Sequence, residues 1–257
     1  MKQLTKTLLA IFALLTAFSC QNDDADVTPP VVVEPESPLT LVVQTDRMAM
    51  DGVIETTQYF YNGAYLDRLV DSYGNEQHFH YTGDLITQID YYFEGSFGYS
   101  ETYLYDEQER VIRKSTPNSS GITISDFTYD DAEEAFYMQT QMTQSDGTPI
   151  YSSSAVYYTQ NGQIVGRNDS GFVTNYHTVL YDSPFSQIIG YDKIAFIRHD
   201  CLIIGKQIVE SFNYTYDGEN TIEVSGIVHG GSYPSKVSYS DPLDGYFSVT
   251  DYTYATF

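Results

Sequence analysis

The sequence predicts an all-β protein: an antiparallel up-and-down meander of hairpin repeats, closed or curled on itself, with about 14–16 strands. Three observations carry this. One short phrase recurs, an aromatic, a turn and then an aliphatic run: "FYNGAYLDRLV", "HFHYTGDLITQI", "YLYDEQERVIRK", "VYYTQNGQIVGR" and "YTYDGENTIEV". Turn chemistry falls inside four of the five phrases, at Asn62-Gly63, Gly83-Asp84, Asn161-Gly162 and Asp217-Gly218, where positive φ is tolerated; "YDEQERV" departs from the Asp-Gly pattern. Between turns the hydrophobic period is two, and no helical period is sustained except for a turn or two near residues 184–199.

The aromatic that closes each first strand sets the spacing. Tyr61, Tyr81, Tyr105, Tyr129, Tyr158, Tyr181, Tyr216 and Tyr239 each leave room for one hairpin before the next. Alternation then assigns faces. Leu85, Ile89, Tyr91 and Phe93 fall on one side of their strand, against Gln88 and Asp90. Ile208, Phe212, Tyr214 and Tyr216 oppose Gln207, Ser211, Asn213 and Thr215 in the same way. Strands joined by short turns pair with their neighbours, and this many do not stay flat and open.

Composition narrows the rest. The chain has 257 residues, 42% hydrophobic, with 25 Tyr, 14 Phe and no Trp. That is globular and large enough for one sizeable β domain. A net charge of −23 repels phosphate backbones and anionic headgroups, so nucleic acid is excluded as a partner.

The N-terminus reads as an address. Lys2 and Lys6 precede an apolar run from Leu8 to Phe18 and then Ser19-Cys20, a secretory signal spanning residues 1–19. Its end resembles a bacterial lipoprotein box, which makes Cys20 the lipid-attachment residue. Residues 20–38, rich in Pro and acid, form an extended tether, and 39–257 form the β domain. The "QNDD" after Cys20 resembles the acidic signal that sends some Bacteroidetes lipoproteins to the outer face of the outer membrane. Cys201, in "HDCLIIG", has no second thiol in the mature chain and is expected to pack as a buried side chain.

The repeat itself resembles the tyrosine–aspartate (YD) repeats of Rhs and teneurin shells. More closely, the whole pattern is similar to a Bacteroidetes lipoprotein family of unknown function with a porin-like fold. "YDSPFSQIIG" (Tyr181 to Gly190) and Tyr233, Pro234, Lys236 and Val237 carry that resemblance beyond the repeats. It implies a porin-like barrel and brings no catalytic residues.

Candidate sites are few. His78 and His80 share a strand face, metal-ligand spacing that lacks further ligands, and the face is the polar one. Asp130, Asp131, Glu133 and Glu134 crowd a hairpin tip, where a solvated turn is the expectation. Residues 183–205, with Arg198, His199 and Asp200, break the repeat; they are expected to plug the core, the alternative being a lid or pocket wall. Nucleophile elbows, zincin helices and phosphate loops do not occur, so no catalytic, metal or cofactor residue is assigned.

The sequence therefore points to a surface-tethered outer-membrane lipoprotein serving as a binding or structural module, with a glycan or protein as ligand. Enzymatic activity is left open, leaning against. One alternative is a cell-surface hydrolase of a polymer such as a glycan, which needs two carboxylates in a concave pocket. Another is a transmembrane pore. Against the pore, Glu101 falls with Tyr99, Tyr103 and Tyr105, and Asp126 with Ile122 and Ile124, on the faces lipid would meet. No oligomeric state is assigned.

Overall fold

The computed structural model describes residues 38–48, 51–161, 163–199, 202–216, 220–230, 233–240 and 247–257. The signal segment, Cys20, nearly all of the tether, Asp200 and Cys201 lie outside the described residues.

The strands are β1 (Thr40–Met48), β2 (Ile54–Asn62), β3 (Tyr65–Asp71), β4 (Glu76–Thr82), β5 (Leu85–Phe93), β6 (Ser96–Tyr105), β7 (Val111–Asn118), β8 (Gly121–Asp130), β9 (Ala135–Gln144), β10 (Pro149–Gln160), β11 (Gln163–Asp169), β12 (Phe172–Asp182), β13 (Ile203–Ile204), β14 (Gln207–Tyr216), β15 (Asn220–Gly230), β16 (Pro234–Ser240) and β17 (Phe247–Thr256). One helix, α1 (Tyr191–Arg198), interrupts them. All seventeen strands belong to one antiparallel meander. The seventeenth, beyond the expected range, is accounted for by the two-residue β13. Each strand from β1 to β12 pairs with the next; β12 then pairs with β14, and the ladders continue to β17. β1 has partners on both sides, β2 and β17.

The repeated phrase has a physical reason. In β3, β5 and β7 the aliphatic after the turn (Leu66, Ile86, Val111) is almost wholly buried. Its cross-strand partner is the aromatic before the turn: Tyr61, Tyr81 and Tyr105 respectively. The register then skips one residue, a β-bulge that bends the strand and increases its twist. A bulge leaves backbone groups without their usual partners, and the neighbouring phenol reaches them. Tyr81 donates to the Leu66 carbonyl, Tyr105 to that of Ile86 at 2.7 Å, and Tyr129 to that of Val111 at 2.9 Å. Tyr61, Tyr239 and Tyr254 make equivalent bonds to Val42, Val209 and Pro234. Each hairpin is thus fastened to an earlier one by a ring that buries its body and satisfies its hydroxyl.

The bulges correct the simple alternation. Ile86 and Ile89 are both fully buried, three apart, whereas Leu85 is only partly covered and Phe93 is exposed. A register shift likewise buries both Ile208 and Val209 on β14. In β10 the buried ring is Tyr157, stacked on Phe136 at 4.6 Å, and Tyr158 is exposed. There the skip falls between Tyr158 and Thr159, so Thr159 pairs with Ile164. The Glu101 face of β6 is the core face: Glu101 and Tyr103 are buried and Leu104 points outward. The side chains of Tyr181 and Tyr216 lie outside the described set.

Residues 183–206 leave the meander after β12 and rejoin it at β14. Ser183, Phe185, Ile188, Tyr191, Ile194 and Ala195 are buried in the main core. Phe196 meets Phe127, Phe136 and Tyr157 edge-on, at 5.9, 5.6 and 6.2 Å. The excursion also crosses the ends of hairpins. Ile189 N–H donates to the Ala64 carbonyl at 3.1 Å, and Gln187 Oε1 accepts from Thr40 N–H at 2.7 Å. Gly190 has φ +73°, and a Cβ there would sit 2.3 Å from the Asp84 carbonyl, so only glycine fits this crossing.

Candidate functional site

A cavity of about 600 Å³, partly open to solvent, lies between part of this excursion and the core face of the sheet. Strands from both ends of the chain line it: Thr45 and Arg47 from β1, Tyr59 from β2, Gln77 from β4, Tyr239 from β16 and Tyr252 from β17. Phe185, Tyr191, Arg198 and His199 come from the excursion. A second space of about 340 Å³ shares Glu55, Thr57, Leu69 and Gln77 with it and extends past Tyr91, Tyr99 and Phe93 to exposed Tyr73.

Arg198 ends α1, where the carbonyl end of the helix favours a cation. Its Nη1 donates to the Tyr91 hydroxyl at 3.1 Å and its Nη2 to Gln77 Oε1. The Phe79 ring lies 5.5 Å from the guanidinium. Nε is buried without a hydrogen-bond partner. No carboxylate lies within ion-pair distance of this side chain among the described residues. An arginine stays charged; its direct partners are neutral acceptors and rings, and the ionised Glu101 is coupled to it through space. It is enclosed by protein, and its residual exposure faces the cavity.

His199 follows directly. Its Nε2 lies 3.0 Å from the Tyr191 hydroxyl and its ring stacks on Phe185 at 5.1 Å. Burial, reinforced by the charge of Arg198, lowers its pKa to about 3, so the imidazole is neutral. Glu101 is a separate unit. Burial would raise its pKa, but the Lys114 ammonium at 2.9 Å and the Tyr103 hydroxyl outweigh that and hold it ionised. Thr116 adds a bond at 3.0 Å. The charge of Arg198 adds to the groups that hold Glu101 ionised.

The other sequence candidates do not converge. His78 and His80 face outward, each on its own carboxylate: Glu76 at 2.7 Å and Asp90 at 2.7 Å. Asp130 caps its own turn through the N–H groups of Ala132 and Glu133, Asp131 pairs with Arg110 at 2.7 Å, and Glu133 accepts from Tyr137. No group of three or more His, Cys, Asp or Glu is arranged to hold a metal among the described residues. Of the trio singled out in the excursion, Arg198 and His199 reach the cavity; Asp200 is not described. Gln77, Tyr91 and Glu55 escaped the sequence reading because they belong to ordinary strands. The one available signal was the parity of Gln77 with Phe79, a polar residue on an apolar face. Among the described lining residues the cavity holds one carboxylate, Glu55; the adjoining space adds Asp71, occupied in its own turn, and Glu76, bound to Arg68 and His78.

No family model matches this chain, and no curated protein matches it. Solved structures do. A porin-like protein from Bacteroides vulgatus is similar over 84% of this chain and 99% of its own, with a TM-score of 0.54 and 12% identity. A porin-like protein from Bacteroides uniformis is similar over 83% and 98%, with a TM-score of 0.50 and 14% identity. At these identities the likeness establishes a porin-like fold. It agrees with the porin-like fold expected from the sequence.

Proposed function

We propose that the protein is an outer-membrane lipoprotein, displayed at the cell surface on an acylated Cys20, whose meander closes into a barrel around a ligand-binding chamber. Closure is supported by the two ladders of β1, which join the first strand to the last. The observation that carries the binding role is the chamber itself. Its volume lies within the roughly 300–1,000 Å³ range of small-molecule sites, and it holds a partly unsatisfied arginine among tyrosines.

Hanging from a lipid fits the sheet better than spanning a membrane. Arg68–Glu76, His80–Asp90 and Arg113–Asp126 stand within the strands on the solvent side, where a transmembrane barrel would present an apolar band. The single chamber carboxylate gives no support to the paired-carboxylate hydrolase.

The test uses the full lipidated chain in detergent micelles. Thermal melts against a panel of small glycans and organic metabolites are expected to give saturable stabilisation with some members. Thr57→Trp, which fills the junction of the two spaces, is expected to abolish that stabilisation while leaving the β signature in circular dichroism intact. A panel without effect, or stabilisation indifferent to the tryptophan, refutes the chamber reading. Mass spectrometry of the mature terminus, and protease shaving of whole cells, test the address separately.

A further inference from the structure

Resting on that reading, we propose that the adjoining space of about 340 Å³ binds a neutral sugar unit at the end of a glycan, with Phe93 as its stacking surface. The space is a notch between hairpins of unequal reach. The β1–β2 ladder runs on to Met48 and Ile54, whereas β3 pairs with β2 only as far as Asp71 with Thr57. On the other side β4 begins at Glu76 with Tyr92, and the β5–β6 ladder closes at Phe93 with Ser96. The turn between β3 and β4 therefore stops short of both neighbours. Asp71 fixes that turn by accepting from the N–H groups of Tyr73 and Asn75 at 2.9 and 2.8 Å, so the notch is formed before anything enters it.

One wall is aromatic. Tyr91 stacks on Tyr99 at 4.5 Å, and Phe93 lies 6.1 Å from Tyr99. The β5–β6 register passes from Tyr91 with Tyr99 to Tyr92 with Phe97, which leaves Gly98 as the extra residue of a bulge. The Phe93 ring takes the space that a side chain there would need: a Cβ on Gly98 would lie 2.5 Å from its Cε2. The glycine thus lets Phe93 rest against β6 beside the notch, with 46% of the residue still open to a ligand. The other wall is polar, formed by Glu55 and by Asp71 and Asn75 of the turn. Glu55 has no hydrogen bond or ion pair to another described residue. Asn75 gives its amide N–H to Asp71 at 2.8 Å, and its Oδ1 has no described donor.

A pyranose has the two kinds of surface that these walls match. Its C–H face packs on an aromatic ring, and its hydroxyls donate to carboxylate and amide oxygens. An acidic sugar fits less well. No basic side chain is among the described lining residues, and Glu55, Asp71 and Glu76 present like charge to it. A wholly apolar body would cover those carboxylates without giving them partners. The volume is at the small end of ligand sites, and Tyr73 at the turn is 61% exposed, which suits a chain end whose remainder stays in solvent.

Calorimetric titration of the full lipidated chain in zwitterionic micelles, which carry no sugar headgroup, tests this. The probes are maltotriose, mannotriose and triacetylchitotriose, beside trigalacturonate. At least one neutral trisaccharide is expected to bind, and the acidic one is not. Phe93→Ala is expected to weaken binding about tenfold, and Phe93→Tyr to keep it. Phe97→Ala is the control: this ring is exposed on the same hairpin, packs on Tyr92 at 5.7 Å and does not line the notch, so its loss is expected to change nothing. Both rings are exposed, and melting curves confirm that each variant is folded. Failure of all three neutral sugars to bind overturns the proposal, as does tighter binding of trigalacturonate or an equal loss in Phe97→Ala. Stabilisation by organic metabolites alone, or sugar binding lost in Thr57→Trp and kept in Phe93→Ala, overturns it and leaves the chamber reading standing. Sugar binding indifferent to Thr57→Trp overturns the chamber reading itself.

Discussion

The hairpins from β2 to β8 and the excursion at 183–206 are held by different means. In the hairpins the backbone is paired along its length, and each phenol reaches back to a carbonyl of the preceding hairpin. The excursion has few backbone bonds of its own to the sheet, such as Ile189 N–H to the Ala64 carbonyl at 3.1 Å and Val209 N–H to that of Leu202 at 2.9 Å. Side chains hold it instead: Phe185, Ile194 and Phe196 fill space that the strands leave. One region takes its form from a local rule repeated, the other from the shape of the volume it occupies. The candidate site lies between the two, with strand residues on one side and Phe185, Tyr191, Arg198 and His199 on the other.

Alkali separates the two most sharply. Burial pushes up the pKa values of Tyr61, Tyr81, Tyr105, Tyr129, Tyr239 and Tyr254. Each therefore stabilises the fold fully below pH 10.0 and loses that contribution as pH rises toward its folded value. Per phenol the slope is about 1.4 kcal/mol per pH unit. Six acting together predict abrupt alkaline unfolding, followed by tyrosinate absorbance in a chain without tryptophan. Gradual titration at an ordinary phenol pKa would break the account of the hairpins.

Acid probes the excursion. The folded pKa of His199 is depressed from 6.5 to about 3, so its neutral form contributes stability that is present above pH 6.5 and lost as pH falls toward 3. His199→Phe, which keeps the ring against Phe185, is expected to flatten the pH dependence of urea midpoints across that window by a few kcal/mol. An unchanged slope would assign the acid limb to carboxylates such as Glu101 instead.

Truncation is next in size. Phe196→Ala removes the ring that joins α1 to β8, β9 and β10 and is expected to cost about 3 kcal/mol in denaturant unfolding. The chamber is expected to suffer more than the sheet, so ligand stabilisation should fall before the β signal does.

The smallest effects compare phenols. Tyr81 both donates to the Leu66 carbonyl and accepts from the Leu66 N–H at 3.1 Å, whereas the Tyr105 hydroxyl makes a single bond, to the Ile86 carbonyl, among the described residues. Tyr81→Phe should therefore cost about 2 kcal/mol and Tyr105→Phe about 1, measured by chemical denaturation. Equal losses would mean that ring burial, and not the hydroxyl, fastens the hairpins.

The sequence made the meander legible because turn dipeptides and phenols are local signals. Ile86 was missed in favour of Leu85, and Tyr157 in favour of Tyr158, because a bulge shifts parity by one and leaves no mark in composition. The site was half legible. Arg198 and His199 stood out by breaking an apolar run, while Gln77 and Tyr91 meet Arg198 from positions 121 and 107 residues away. Such separations are set by tertiary packing, which no local signal in the sequence carries.

The direct ladder between β12 and β14 carries a last consequence. The chain departs and returns at adjacent strands, so the hydrogen-bonded ladder runs on past the intervening segment without depending on it. What that segment supplies is the filling of the interior, a duty for side chains and not for the backbone.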